Sequence, residues 1–182
     1  VSKLIPKVET IPQGHPSDQE VFLGPVIDAG AKKKILSYIE IGKQEGDLLA
    51  GGGVGEGNGH YVEATVFGNI APDARLAQEE VFGPVLAVIP FDTEDEAIEI
   101  ANDIDFGLAA GVWTSDIRRA HGMARRLKSG TVYVNTYRAI SVDKNKGVVL
   151  VKNESYGHAN VGKPAAKIGR IHVFPVPDRQ AQ

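Results

Sequence analysis

The sequence predicts an α/β fold, a three-layer arrangement whose sheet has mostly parallel strands. Strand-like and helix-like segments alternate between residues 83 and 135. The first of them, residues 83–91, is a continuous apolar stretch rich in Val, as in strands buried on both faces. The connections are short and helical in period, which is typical of right-handed crossovers between parallel strands. A chain of 182 residues can bury a core of this kind without disulfides.

A capping box marks the helix after the first strand. Thr93 is followed three residues later by Glu96, a pairing in which each side chain caps a backbone N–H of the other residue. The apolar residues that follow fall on one helical face. We therefore predict a helix over about residues 94–102.

Two further strands, predicted at residues 108–114 and 131–135, enclose a second helix. Ser115 is its predicted N-cap and Gly130 its stop. The apolar stripe of this helix consists of Ile117, Ala120, Ala124 and Leu127. Its other face carries five cations, which we interpret as a solvated surface rather than a phosphate site.

Upstream, the patterns predict a helix over about residues 31–42 and a strand over residues 61–67. The glycine-rich stretch at residues 51–59 contains no GxGxxG and no following Lys-Ser or Lys-Thr. It therefore matches neither nucleotide-binding fingerprint, and we interpret it as a turn.

Composition excludes several classes of function. The net charge of -3 provides no attraction to nucleic acid or to an anionic membrane. No apolar run reaches the roughly 18 residues of a membrane span, and no signal pattern is present, so we expect a cytoplasmic protein. The chain has no Cys, and its five His follow no ligand spacing, so no metal site is predicted.

The balance of basic and acidic residues differs between two parts of the chain. Residues 1–142 hold 13 basic and 20 acidic side chains, whereas residues 143–182 hold 7 and 3. We therefore predict one domain portion over residues 1–142 and a differently built tail over residues 143–182.

The segment QEEVFGPV, residues 78–85, is the strongest candidate for a site. Two acids and an aromatic residue precede a Gly-Pro break that opens a predicted strand. A carboxylate there can accept hydrogen bonds from ribose hydroxyls, and a flat ring can pack on a planar heterocycle. These residues alone are equally compatible with a purely structural role.

With these residues the sequence resembles the aldehyde dehydrogenase superfamily. The motifs stand in the family's order over roughly residues 14–142: GPVID, KKKILSYIEIGKQEG, EEVFGPV, FGLAAGVWTSD and KSGTVYVN. The resemblance implies a portion of that family's catalytic domain. It also implies NAD(P)-dependent oxidation of a small-molecule aldehyde to a carboxylic acid, with NAD and NADP both open.

In the family, a Cys thiolate attacks the aldehyde, hydride passes to the nicotinamide, and a Glu activates the hydrolytic water. The resemblance assigns cofactor binding to three residues of this chain. Glu80 would hold the nicotinamide ribose, Phe82 would pack near the nicotinamide ring, and Lys34 would lie near the ribose region.

Three further residues match positions around the substrate. Asn135 resembles the Asn that braces the nucleophile loop, although an ordinary Asn bonding a turn at a strand end explains it equally well. Tyr137 and Arg138 follow where the family's aldehyde tunnel is lined.

The family's nucleophilic Cys, general base and dinucleotide-binding domain precede the matched region, so none of its catalytic residues falls in this chain. We therefore expect a C-terminal fragment that is inactive alone. The alternative is a non-catalytic relative that keeps the fold as a structural or binding module.

The tail departs from the family pattern at residues 143–167. Residues 169–177, GRIHVFPVP, still resemble the terminal strand that family members exchange between subunits. A homo-oligomer is expected on that basis.

Overall fold

The computed structural model describes residues 1–135. These residues divide into two compact units, Val1–Asp92 and residues 93–135. The predictions for Tyr137, Arg138 and the tail at residues 143–182 lie outside the described residues.

The first unit holds three short strands and three helices. The helices are α1 (Ile5–Glu9), α2 (Ala29–Glu45) and α3 (Arg75–Gln78), and the strands are β1 (Asp47–Ala50), β2 (Thr65–Gly68) and β3 (Val85–Ala87). The sheet order is β1-β2-β3. β1 runs antiparallel to β2, and β2 runs parallel to β3 with Thr65 opposite Val85.

Helix α2 packs against this sheet and is longer than the helix predicted over residues 31–42. It begins earlier because the Asp28 carboxylate caps it, accepting from the Ala31 N–H at 2.7 Å. Its buried face packs into a core that consists of Ile35, Ile39, Val62, Phe67, Ile70, Leu76 and Val81. This core fixes α2, α3 and residue 81 relative to one another.

Two predicted strands are shorter in the structure. The expectation of a strand over residues 83–91 buried on both faces is wrong, because β3 has three half-buried or exposed residues and begins after a tight turn in which the Val85 N–H donates to the Gly83 carbonyl. The predicted strand at 61–67 becomes β2, since the Glu63 N–H bonds the Gly53 carbonyl instead of the sheet.

The second unit confirms the strand–helix–strand prediction. It holds α4 (Glu94–Asn102), β4 (Ala109–Val112), α5 (Ile117–Arg126) and β5 (Thr131–Val134), and β4 pairs parallel with β5. The capping box of Thr93 and Glu96 is present. Ala120 and Leu127 are buried as predicted, but Ile117 is exposed.

The predicted N-cap of α5 is wrong by one residue. Asp116, not Ser115, caps the helix, and its carboxylate accepts from the N–H groups of Arg118 at 2.8 Å and Arg119 at 3.2 Å. A charged carboxylate is a stronger acceptor than a hydroxyl at the positive end of a helix.

The α/β class is confirmed, with one difference in the sheet. Two of the three strand pairings within residues 1–135 are parallel. The described strands form two sheets, so β3 and the β4-β5 pair do not share the single sheet that the alternation predicted. No helix in this part of the chain has the length and hydropathy to cross a bilayer.

Candidate functional site

The candidate site is built on residues 79–82, which we call the 79–82 segment. Helix α3 ends where Glu79 adopts an extended conformation, with φ -105° and ψ 143°. Successive side chains of an extended chain point in opposite directions. Val81 is accordingly buried in the core, while its neighbour Glu80 is exposed. Phe82 is exposed as well, although its own backbone is not extended.

Phe82 is held in an unusual state. Its φ is +62°, in the left-handed region, and its side chain is 79% exposed. For an aromatic residue such a backbone conformation costs on the order of 1–3 kcal/mol, and it persists only where the surroundings impose it. An exposed ring recovers little of that cost by burial, so the packing of the ring does not account for the conformation.

Gly83 is part of what imposes this conformation. A Cβ at this position would lie 2.6 Å from Ile35 Cδ1, so the backbone passes directly against α2. Val81 on one side and Gly83 on the other therefore anchor the chain, and Phe82 is left projecting outward.

Lys34 and Glu80, both predicted to contact a cofactor, are brought together. The Lys34 ammonium donates to the Glu80 backbone carbonyl at 2.9 Å. No group within the described residues hydrogen-bonds the Glu80 carboxylate. The carboxylate is therefore open to a ligand while its backbone is fixed.

Three residues that the sequence analysis missed lie beside this segment: Tyr38, Arg75 and Glu79, which we call the Tyr38–Arg75–Glu79 cluster. The Arg75 guanidinium donates from Nε and Nη2 to the two Glu79 carboxylate oxygens, at 2.8 and 3.0 Å. The Tyr38 hydroxyl donates to Glu79 Oε2. The Tyr38 ring also lies 5.5 Å from both Lys34 Nζ and Arg75 Cζ.

These contacts shift the pKa values of all three residues of the cluster. Hydrogen bonds from Arg75 and then from Tyr38 lower the pKa of Glu79 to about 2, and the nearby Lys34 charge acts in the same direction. The Glu79 carboxylate raises the pKa of Tyr38, whose hydroxyl donates to it, and also the pKa of Arg75. Glu79 is thus ionised and held by its partners, whereas the Glu80 carboxylate is free to bind a ligand.

A spacing signal for the cluster does exist in the sequence. Arg75 and Glu79 are four residues apart, as are Lys34 and Tyr38, the spacing at which side chains on a helix become neighbours. The first pair escapes prediction because α3 is only four residues long.

Two N–H groups of the glycine-rich stretch donate to side chains of the same chain. The Gly53 N–H donates to the Glu63 carboxylate at 2.9 Å, and the Gly52 N–H donates to Thr65 Oγ1 at 3.0 Å. Gly51 and Gly52 have positive φ, as a turn requires. A carboxylate in this position opposes phosphate binding, in line with the turn interpretation.

Asn135 lies in the second unit at the end of β5, with φ +52°. Its side-chain oxygen accepts from the Thr114 N–H and its amide donates to the Thr114 carbonyl, both at 2.9 Å. These bonds join the ends of β4 and β5. The amide keeps one further hydrogen, and the bracing of a nucleophile loop stays a prediction. Within residues 1–135, no three acidic or histidine side chains gather as metal ligands do.

Comparison with known proteins matches this architecture to a family. The sequence profile of the aldehyde dehydrogenase family matches residues 1–162. The chain therefore belongs to the aldehyde dehydrogenase family.

Two bacterial relatives are betaine aldehyde dehydrogenases. The protein from Rhizobium johnstonii is 43% identical over 147 residues, which cover 79% of this chain and 30% of the relative. The protein from Cereibacter sphaeroides is 43% identical over 150 residues, covering 82% and 31%. The chain thus spans about three tenths of the length of the relatives it matches.

Two solved structures resemble this chain in fold and sequence. A 1-pyrroline-5-carboxylate dehydrogenase from Thermus with bound NAD has a TM-score of 0.70 at 42% identity, covering 74% of this chain and 26% of that one. An aldehyde dehydrogenase from Bacillus cereus in complex with NAD+ has a TM-score of 0.72 at 40% identity, covering 75% and 28%.

Proposed function

We propose that this chain is part of an NAD(P)-dependent aldehyde dehydrogenase that oxidises an aldehyde to a carboxylic acid. We further propose that Lys34, Glu80 and Phe82 form one edge of its nicotinamide-nucleotide pocket. The observation that carries this proposal is the exposed Phe82 ring at positive φ, two residues from a carboxylate without a partner among the described residues.

The groups at this edge fit such a ligand. The Glu80 carboxylate can accept hydrogen bonds from the two hydroxyls of a ribose. The Phe82 ring offers an apolar face to a planar heterocycle. The nucleotide, when bound, supplies the acceptor for a hydride. The protein contributes orientation, since the Glu80 backbone is fixed by Lys34 and the Phe82 backbone by Gly83.

The relatives support NAD as the cofactor, since neighbouring structures hold NAD. Their names also give two substrates, betaine aldehyde and 1-pyrroline-5-carboxylate, so the proposal is made for aldehydes as a class. Asn135, Tyr137 and Arg138 keep their proposed places around the nucleophile loop and the aldehyde tunnel. The cytoplasmic location and the homo-oligomer predicted from the sequence belong to the same proposal.

The test of the cofactor site is Glu80→Gln in a polypeptide that joins this chain to the upstream nucleophile and dinucleotide-binding segments. The change keeps the volume and weakens a charge-assisted hydrogen bond worth roughly 1.5–3 kcal/mol. We expect impaired hydride transfer or cofactor release at an unchanged melting temperature.

The matched control is Glu99→Gln, which alters another exposed carboxylate, on α4. It should leave nucleotide kinetics unchanged. Kinetics of Glu80→Gln that equal those of the control would remove Glu80 from the cofactor site.

The 182-residue chain by itself should not oxidise aldehydes with NAD or NADP. It has no thiol that can add to an aldehyde carbonyl. Nicotinamide absorbance, followed with a panel of aldehydes against a buffer control, is the measurement. Turnover above the control would contradict the proposed division of labour between this chain and upstream segments.

A further inference from the structure

We infer that Arg75 is a positioning residue for the Glu80 carboxylate. Arg75 clamps Glu79, and Glu79 together with Tyr38 and Lys34 fixes the backbone from which Glu80 projects. This inference rests on the proposed role of Glu80 in nucleotide binding and names the residues that hold it in place.

The 79–82 segment is tied to α2 at two neighbouring points. The Lys34 ammonium bonds the Glu80 carbonyl at 2.9 Å, and the Tyr38 hydroxyl bonds the Glu79 carboxylate. Lys34 and Tyr38 are one helical turn apart on the same face. Residues 79 and 80 are therefore held by side chains that lie one turn apart on the same helix. The backbone from which the Glu80 side chain extends thus has a fixed position.

Arg75 completes this arrangement from the other side. Its guanidinium forms a two-bond fork to Glu79, at 2.8 and 3.0 Å, which fixes the orientation of the carboxylate as well as its position. Arg75 itself is set by α2, because the Glu45 carboxylate accepts from the N–H groups of Arg75 and Leu76 at 3.0 and 2.9 Å.

Arg75 also determines which group the Lys34 ammonium binds. The Lys34 ammonium lies close enough to Glu79 for its charge to act on that carboxylate. With Arg75 present, both Glu79 oxygens have cationic partners and the ammonium serves the Glu80 carbonyl. Without Arg75, the Glu79 carboxylate competes for Lys34, and the Glu80 backbone loses its hydrogen bond.

Stability is a poor explanation for this cluster. The Arg75 and Glu79 side chains are 55% and 42% exposed, and ion pairs this exposed contribute little to folding. The cost of losing Arg75 should therefore appear in ligand binding and turnover rather than in the melting temperature.

The test is Arg75→Met in the longer polypeptide that carries the nucleophile and dinucleotide-binding segments. We expect kcat/KM for the nucleotide to fall roughly tenfold, since small displacements of a positioning group cost up to about a hundredfold. Arg75→Lys should recover part of the loss, because it keeps the charge but not the fork. Tyr38→Phe, which removes only the hydroxyl, should give a smaller loss in the same direction.

Arg119→Met is the matched control. Arg119 pairs with Glu94 at 3.0 Å in the second unit, and these side chains are 53% and 37% exposed, close to the values for Arg75 and Glu79. Both variants should lower the melting temperature by the same small amount, and only Arg75→Met should change the nucleotide parameters.

A double-mutant cycle with Glu80→Gln shows whether Arg75 acts through Glu80. If Arg75 acts by positioning Glu80, Arg75→Met should have little further effect in the Glu80→Gln background. An equal effect in both backgrounds, or nucleotide parameters equal to those of Arg119→Met while Glu80→Gln is impaired, would overturn the inference alone. Unimpaired Glu80→Gln would overturn the proposed cofactor role, and the inference with it.

Discussion

Two adjacent glutamates show how surroundings separate residues of one type. Glu79 receives a guanidinium fork and a phenol hydroxyl, whereas the Glu80 carboxylate has no partner among residues 1–135. The first holds the chain and the second is available to a ligand. The motif predicts a role for Glu80, but it gives no sign that the adjacent Glu79 is held by Arg75 and Tyr38.

The low pKa of Glu79 gives a pH prediction. Because the folded pKa of about 2 lies below the ordinary value of 4.5, the stabilisation from this carboxylate is present above pH 4.5 and is lost as the pH falls towards 2. An NMR titration of the Glu79 carboxyl should give the low midpoint, and Arg75→Met should raise it towards the ordinary value. A midpoint that Arg75→Met leaves unchanged would show that the fork is not the cause.

Gly83 gives a packing prediction. Gly83→Ala would place a methyl group 2.6 to 2.9 Å from three atoms of the buried Ile35 side chain. Overpacking of this kind costs roughly 1–3 kcal/mol, which urea unfolding would measure. The control is Gly122→Ala in α5, where nothing lies within 4 Å of the added Cβ. Since Ala is favoured over Gly in helices by about 1 kcal/mol, this control should stabilise the chain.

Among the elements, those with strong local signals were predicted best. The capping box places the start of α4 at Thr93, and the structure agrees at both ends of the helix. α1, α3 and β1 have four or five residues each, too few for a period to be read from the sequence. β1 also carries two consecutive leucines rather than an alternation, and its pairing with β2 is a tertiary choice.

The corrected N-cap of α5 leads to a direct test. Asp116→Ala removes the acceptor for two backbone N–H groups, so it should cost about 1 kcal/mol in the free energy of unfolding. Ser115→Ala changes the neighbouring residue that the sequence favoured and should stay within about 0.5 kcal/mol. The reverse order of the two costs would restore Ser115 as the cap.

The described residues carry one edge of a proposed pocket rather than a complete reaction site. The fold class was predictable because it depends on segments within residues 14–142, and the cofactor edge proposed from the same segments stays a prediction. The Tyr38–Arg75–Glu79 cluster was not, because it joins α2 to α3 across about forty residues of sequence and forms only when the core packs.

Assembly is the prediction that concerns the entire chain. Phe22 and Ile27 in the first unit and Leu108 in the second are each more than 80% exposed, and each offers apolar surface to a contact between chains. The tail sequence at residues 169–177, outside the described residues, resembles a strand exchanged between subunits. Its prolines, Pro175 and Pro177, suit an edge because they cannot donate to a sheet.

We therefore expect light scattering to show an oligomer for the 182-residue chain and a smaller species for a version ending at Arg170. Removal of residues 171–182 takes away most of the candidate strand but leaves the exposed side chains of residues 1–135 in place, so the comparison separates the two causes of association. A monomeric full chain would contradict the assembly prediction, and an oligomer that survives the truncation would assign assembly to the apolar surface instead of the strand.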